Sequence, residues 1–300
     1  MKTIQIGKSQ LHSTQLGLGC INFGTTTDDK AAFSLVEAYL ESGGNLLDTS
    51  NNYAFWNSNQ ERDSEKCIGR WLTNNQDKRK DFILSTKLGA LPKDISRGFN
   101  DMQGTSRKVV YEEVEKSLEA LQTDYIDLLY LHIDDYQTPL EETLSALADM
   151  INKGYVKNIG CSNFRTWRIE KARQICKENN YPFFCAVQQR YSYLQPVIDA
   201  DFGVQICGDN ELKSYIEFFK DMTFVAHTSL LYGAYQKNDI QDINYDTLQN
   251  RQRLEKLSEM GKDKIPWVLD YISKQYGGSI ALFTSANLQH LKENIEYFNK

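Results

Sequence analysis

The chain has 300 residues, 41% apolar and 25% charged, with a formal net charge of -6 and a pI near 5.4. That acidic balance excludes a general nucleic-acid binder, which needs basic surface to displace counterions. No run approaches the roughly 18 apolar residues of a membrane span, and the polar start, residues 1–10, has no apolar signal region, so a cytoplasmic protein is expected. Six cysteines (Cys20, Cys67, Cys161, Cys176, Cys185 and Cys207) show neither a C-x-x-C pair nor zinc spacing, and are read as reduced core or site-lining thiols.

Residues 1–13 predict a small polar β-hairpin that plugs a sheet or barrel. Residues 15–19 form the first core strand candidate. Asp28 or Asp29 then caps a helix to about Ser42, with Ala32, Phe33, Leu35, Val36 and Leu40 at helical spacing. Leu46-Leu47 is a short buried strand that runs into Asp48, and a polar loop closed by Tyr53 follows. A helix from Ser64 to about Asn74 and a strand over residues 82–87 come next. Lys78-Arg79-Lys80, between them, reads as a solvated turn.

Thr105 or Ser106 caps a helix bearing Val109, Val110, Val114, Leu118 and Leu121, and residues 126–132 form the fourth strand. Pro139 opens a helix that Gly154 stops. Strands over 156–161, 184–188, 223–227 and 279–284 alternate with helices over 165–178, 211–220, 248–260, 265–276 and 287–297.

Eight β-then-α units with strand-length apolar runs fit either a closed (β/α)8 TIM barrel or a doubly wound open sheet. The count favours the barrel, and Gly17-Leu18-Gly19 lacks the third glycine of a dinucleotide fingerprint. No composition break divides residues 1–300, so one domain is expected.

In such a barrel the active site lies at the C-terminal strand ends. Asp48, Lys87 and His132 end strands two, three and four, and Tyr53 lies on the loop after strand two. Each alone reads equally well as structural. Together they set a carboxylate, an ammonium, an imidazole and a phenol at an otherwise apolar mouth, which is costly unless used. A buried ammonium beside the phenol is expected to favour the phenolate and ease proton donation near neutral pH.

The segments Leu47-Asp-Thr-Ser-Asn-Asn-Tyr53, Ser64-Glu-x-x-Ile-Gly-Arg-Trp-Leu72, Ser85-Thr-Lys-Leu88, Tyr125 to His132, Gly160-Cys-Ser-Asn-Phe164 and His290-Leu-Lys-Glu-Asn294 resemble the aldo/keto reductase superfamily in order and spacing. The resemblance implies a (β/α)8 barrel with an N-terminal hairpin across its bottom. It implies a nicotinamide cofactor, NADP(H) favoured with NAD(H) as the alternative. It implies a catalytic tetrad of Asp48, Tyr53, Lys87 and His132, with Tyr53 as general acid toward a small carbonyl or alcohol substrate. Cofactor contacts carried over are Gly19, Cys20 and Ile21; Ser162, Asn163 and Gln188 at the carboxamide; Ser229 and Leu230 at the pyrophosphate; and Ser285, His290 and Asn294 at the adenosine end. Ser162-Asn163 also reads as a helix N-cap.

Two departures stand out. His227 occupies a place usually held by a stacking tyrosine, and Thr284 and His290 stand where a lysine and arginine often grip a 2′-phosphate. The chain stops soon after the last predicted helix, so an open pocket is expected, with Phe55, Trp56, Ile133 and Tyr191 as lining candidates. Two other functions compete: a cofactor-binding regulatory protein of the same fold, and a metal-dependent hydrolase using His132, His227, Asp134 and Asp135.

Overall fold

A computed structural model describes residues 1–299. Strands β1 (Thr3–Gln5) and β2 (His12–Thr14) pair antiparallel. β3 (Leu16–Gly19), β4 (Leu46–Asp48), β5 (Ile83–Leu88), β6 (Ile126–Leu131), β7 (Val156–Ser162), β8 (Ala186–Arg190), β9 (Thr223–His227) and β10 (Ser279–Phe283) form a closed barrel in that order, with β10 returning to β3. Every pair in it is parallel. This is the (β/α)8 TIM barrel.

Helices Asp29–Glu41, Asp63–Thr73, Arg107–Leu121, Leu140–Asn152, Thr166–Asn179, Asn210–Phe219, Lys264–Ser273 and Leu288–Phe298 fall between and after the barrel strands. Their starts are local in origin. Asp28, Ser106 and Asp209 each accept a hydrogen bond from the backbone N–H three residues on, and so satisfy a donor the helix leaves free. Among the described residues, no helix is long and apolar enough to cross a membrane.

Side chains alternate across each strand. Leu46, Ile83, Leu128, Tyr130, Val225, Ile280 and Leu282 form a cluster inside the barrel, while Leu47, Leu84, Leu129 and Ala226 join a larger cluster with the helices. Gly17 makes room inside: a Cβ there would come within 2.7 Å of Leu282. Gly160 does the same for the Tyr130 ring, 2.6 Å from a Cβ.

The hairpin caps the barrel bottom. Ile6 belongs to the inner cluster, and Gly7 N donates to Thr223 Oγ1 at 2.8 Å. Gly7 has φ 52°, and a Cβ would fall 2.3 Å from the Asp221 carbonyl, so only glycine lets the chain turn there.

Two expectations need correction. Arg79 is not in a solvated turn. It is buried in a short helix, Gln76–Asp81, pairs with Asp127 at 2.7 Å and lies over the Tyr125 ring at 4.0 Å. The sixth barrel strand begins at Ala186 rather than Phe184, because Phe184 packs outward against Phe164 and Phe183, at 5.9 and 5.4 Å. It therefore runs on to Arg190 and brings that guanidinium to the barrel mouth.

Candidate active site

The period-2 alternation of β4 and β5 builds the centre of the site. Leu46 and Asp48 share one face of β4; Ile83, Ser85 and Lys87 share the matching face of β5. Asp48 sits beside Ser85 in register. The Lys87 ammonium uses its three hydrogens on three acceptors: Asp48 Oδ2 at 2.6 Å, the Thr49 carbonyl at 2.7 Å and the Tyr53 hydroxyl oxygen at 2.9 Å. The second Asp48 oxygen accepts from Ser85 Oγ at 2.8 Å and Gln188 Nε2 at 3.0 Å. The buried ion pair is thus satisfied on both sides, which such pairs require.

Tyr53 receives a hydrogen bond from Lys87, so its own hydrogen must point elsewhere. Its contact to Asp48 Oδ2 is 3.5 Å, at the limit of a hydrogen bond. The phenolic proton is therefore loosely held. His132 follows β6, stands edge-on to the Tyr53 ring at 5.9 Å, and has Nδ1 3.1 Å from Ser50 Oγ. The four tetrad side chains meet at the C-terminal strand ends.

The electrostatics differ from the expectation in one respect. Burial, and next the Asp48 carboxylate, push the Tyr53 phenol well above its usual range. Lys87 does not turn it into a phenolate, because the same ammonium is matched by Asp48. The phenol is fully protonated, as a proton donor must be before it reacts. Burial lowers the Lys87 pKa and Asp48 opposes that shift. Burial, then Lys87 and His227, push the His132 imidazole well below its usual range, so it is neutral.

Several further residues hold the Tyr53 loop. Asn51 N donates to the Lys87 carbonyl at 3.1 Å, and Asn51 Nδ2 to Glu113 Oε2 at 2.7 Å. Glu113 is paired with Arg62, which also binds Glu65 at 2.8 Å. Thr49 and Ser64 share a hydroxyl contact at 2.7 Å. The sequence presents Ser50-Asn51-Asn52 as part of the polar loop closed by Tyr53 and assigns these residues no partners. Two adjacent asparagines next to a strand-ending aspartate are the only sequence signal for this network.

The expected cofactor residues fall in two places. Gly19 pairs with Asp48, and Cys20 N donates to the Asp48 carbonyl at 2.9 Å, with Ile21 next to it. Ser162 ends β7. Asn163 follows in a left-handed turn, φ 60°, where Nδ2 reaches the His132 carbonyl at 2.9 Å and Oδ1 accepts from Ile206 N at 3.1 Å. Neither caps the following helix, whose N-cap is Arg165. Gln188 is committed through Nε2 to Asp48. His227 ends β9 as a neutral ring, pushed down to about 3 by burial and Arg190, with Nδ1 2.9 Å from Thr228 Oγ1. Ser229 Oγ donates to the Ala226 carbonyl at 3.1 Å, and Leu230 is half-buried. A cavity of about 240 Å³ beside Arg190 is lined by Tyr232, Lys237, Asp242 and Tyr245.

Ser285, His290 and Asn294 lie at and within the last helix, Leu288–Phe298. Ser285 Oγ donates to the Asn287 carbonyl at 2.7 Å, His290 is exposed and Asn294 is buried. Asn287 caps the helix by accepting from Gln289 N and His290 N.

Of the lining candidates, Tyr191 packs edge-on against Phe224 and Tyr276 at 5.8 and 5.5 Å, a core role. Phe55 and Trp56 instead form an aromatic group with Phe99 at 5.3 and 6.4 Å, on loops after β4 and β5. Asp134 binds Arg168 at 2.9 Å, and Asp135 accepts from Thr105 N at 2.8 Å, so neither carboxylate joins His132 and His227.

A sequence model described as the aldo/keto reductase family matches residues 15–300. Relatives include an uncharacterized oxidoreductase, YrpG, of Bacillus subtilis, 34% identical over 65% of this chain and 59% of its own length. An aryl-alcohol dehydrogenase of Pestalotiopsis microspora is 36% identical over 54% of this chain and 40% of its own length. Norsolorinic acid reductase A of Aspergillus parasiticus is 27% identical over 94% of this chain and 72% of its own length. The chain spans about half the length of the first of these relatives.

Proposed function

The chain belongs to the aldo/keto reductase family, and on that premise we propose that it interconverts aldehydes or ketones and alcohols with a nicotinamide dinucleotide, Tyr53 acting as general acid in reduction. The carrying observation is the Tyr53 hydroxyl, which accepts from Lys87 at 2.9 Å and holds its own proton only loosely, 3.5 Å from Asp48 Oδ2. A bound dihydronicotinamide supplies hydride to the carbonyl carbon. As charge grows on the carbonyl oxygen, the Tyr53 O–H is the group poised to neutralise it. Lys87 then stabilises the oxygen left behind, and Asp48, held by Ser85 and Gln188, keeps Lys87 in place.

The residues around the mouth fit a planar, amide-bearing ring. Ser162 offers a hydroxyl and Gln188 its amide oxygen at adjacent strand ends, Asn163 beside them is bonded to the His132 carbonyl, Ser162 Oγ and Ile206 N, and His227 offers a neutral ring face. Gly19, Cys20 and Ile21 line the first strand end, and Ser229 and Leu230 follow β9. Ser285, His290 and Asn294 would receive the adenosine end. There the helix start carries no lysine or arginine before Lys292, and Asn287 already occupies two of its N–H groups. A 2′-phosphate would meet few donors, so NAD(H) competes with NADP(H) in this chain despite the family expectation. Titrating each into the protein and comparing the dissociation constants tests this directly.

One relative bears the name aryl-alcohol dehydrogenase, and Trp56 and Phe99, 45% and 48% exposed, border the loop that carries Tyr53. Aromatic carbonyl compounds are therefore the first substrates to offer. The deciding experiment is Tyr53→Phe. Turnover should fall on the order of 10³-fold while cofactor affinity stays unchanged. Retained turnover sinks the assignment.

A further inference from the structure

Arg62 is buried, 4% exposed, and its backbone is left-handed, with φ 65°. A residue with a Cβ takes that conformation at a cost that surrounding contacts must offset. The Arg62 N–H donates to the Asn51 carbonyl at 3.1 Å. Its guanidinium donates through Nη1 to Glu65 Oε2 at 2.8 Å and Ser117 Oγ at 3.0 Å, and through Nη2 to Glu113 Oε2. One rigid fork thus joins buried carboxylates on two helices, Asp63–Thr73 and Arg107–Leu121.

Both carboxylates lead back to the tetrad. Thr86 precedes Lys87 on β5 and points the other way, toward the helices, where its Oγ1 donates to Glu65 Oε1 at 2.6 Å. Glu113 Oε2 also accepts from Asn51 Nδ2 at 2.7 Å, and Asn51 N donates to the Lys87 carbonyl at 3.1 Å. Asn51 stands two residues before Tyr53. Arg62 is therefore tied to the strand end that carries Lys87 and to the loop that carries Tyr53. The separation of those two elements sets the 2.9 Å contact from Lys87 Nζ to the Tyr53 hydroxyl. A second local cost accompanies the first: Asn51 Oδ1 is buried without a partner among the described residues. Neither an orphaned amide oxygen nor a left-handed arginine serves stability, and such costs gather where geometry is used.

We infer that Arg62 is a positioning residue that acts through Glu113 and Asn51 to set the contact between Tyr53 and Lys87. Its consequence for turnover rests on the reductase reading above: with that contact loosened, the phenol is misplaced toward a carbonyl oxygen while the cofactor residues stay where they are.

The test is a proton–nitrogen NMR correlation on protein labelled with nitrogen-15 lysine, without substrate. Lys87 is the one fully buried lysine among the described residues, so its ammonium protons are the ones shielded from exchange with water. Tyr53→Phe removes one of its three acceptors, and the resulting shift marks the contact as lost. Asn51→Ala cuts the tie between the Tyr53 loop and Glu113, at the expense of one side-chain hydrogen bond and the orphaned oxygen. Arg62→Lys keeps a charge between the two carboxylates but not the planar fork. Both variants should move the Lys87 signal toward its position in Tyr53→Phe, whereas Asp28→Ala, a stability change elsewhere, should leave it in place. In an aldehyde-reduction assay both should lower kcat by about 10- to 100-fold, with KM and the cofactor dissociation constant within about twofold of wild type. The double variant should be no slower than the slower single one, because both cut one path. If Arg62→Lys fails to fold, Asn51→Ala decides alone. A Lys87 signal unmoved in Asn51→Ala, or an unchanged kcat, overturns the inference. The spectrum does not depend on turnover, so failure of the reductase reading shows separately, as turnover retained in Tyr53→Phe.

Discussion

At the lower end of the barrel, β4 turns Leu46 inward against Ile83, Leu128, Ile280 and the hairpin's Ile6. Two residues on, at the upper end, the same strand turns Asp48 inward against Lys87. β5 makes the same change from Ile83 to Lys87, and β6 from Leu128 to His132. The lower end is hydrocarbon, closed by a dedicated hairpin. The upper end buries a charge pair, a phenol and an imidazole, and each needs a named partner to be tolerable. The contrast assigns stability to one end and chemistry to the other, using one set of strands.

Lys87→Met is the harshest way to break the upper end. It leaves Asp48 buried with only neutral partners, and should lower unfolding free energy by about 4 kcal/mol while abolishing turnover. Urea denaturation beside an activity assay would show it; an unaffected urea midpoint would mean the pair carries no structural role. The lower end should respond differently. Leu128→Ala removes hydrocarbon from a filled interior and should cost about 3 kcal/mol. Assayed well below its melting temperature, that variant should keep its kcat and KM. A large loss of kcat would show that the two ends are not separable.

Acid should weaken the upper end selectively. His132 and His227 are neutral when folded but protonate normally, near 6.5, once unfolded. The unfolded chain therefore binds more protons below that pH. Stability from these rings is present above about 6.5 and lost as pH falls toward their depressed folded values, near 3 for His227. Each ring contributes a slope of about 1.4 kcal/mol per pH unit in that window. His227→Asn should remove one ring's share from a series of denaturation curves between those pH values. The smallest effect belongs to the outer ring. Asp28→Ala removes the cap of helix Asp29–Glu41 and should cost about 1 kcal/mol, with no change in turnover or cofactor affinity.

Much of the barrel was readable in advance, because apolar runs and caps are local signals. Asp28, Ser106 and Asp209 act on an N–H three residues away. The ends of β4, β5 and β6 are legible too, since a polar residue closing an apolar run stands out. The misreadings all concern distant partners. Arg79 looked solvated because Asp127 and Tyr125 come from another part of the chain. The start of β8 was misplaced because Phe184 packs onto Phe164 rather than continuing the strand. The Tyr53 phenol lies above its usual range, against the expectation of a phenolate, because burial and then Asp48 outweigh the ammonium beside it.

Residue order alone determined the alternation of strands and helices, and with it which polar groups would stand at the strand ends. Those follow from pleat, helical period and capping, which act within a few residues. Only the closed barrel decided who touches whom there. Ser50 meets His132 across 82 positions of chain, and Gln188 meets Asp48 across 140. A hydrogen-bond partner, a proton's location and a buried charge's environment depend on distances through space, and folding alone sets those.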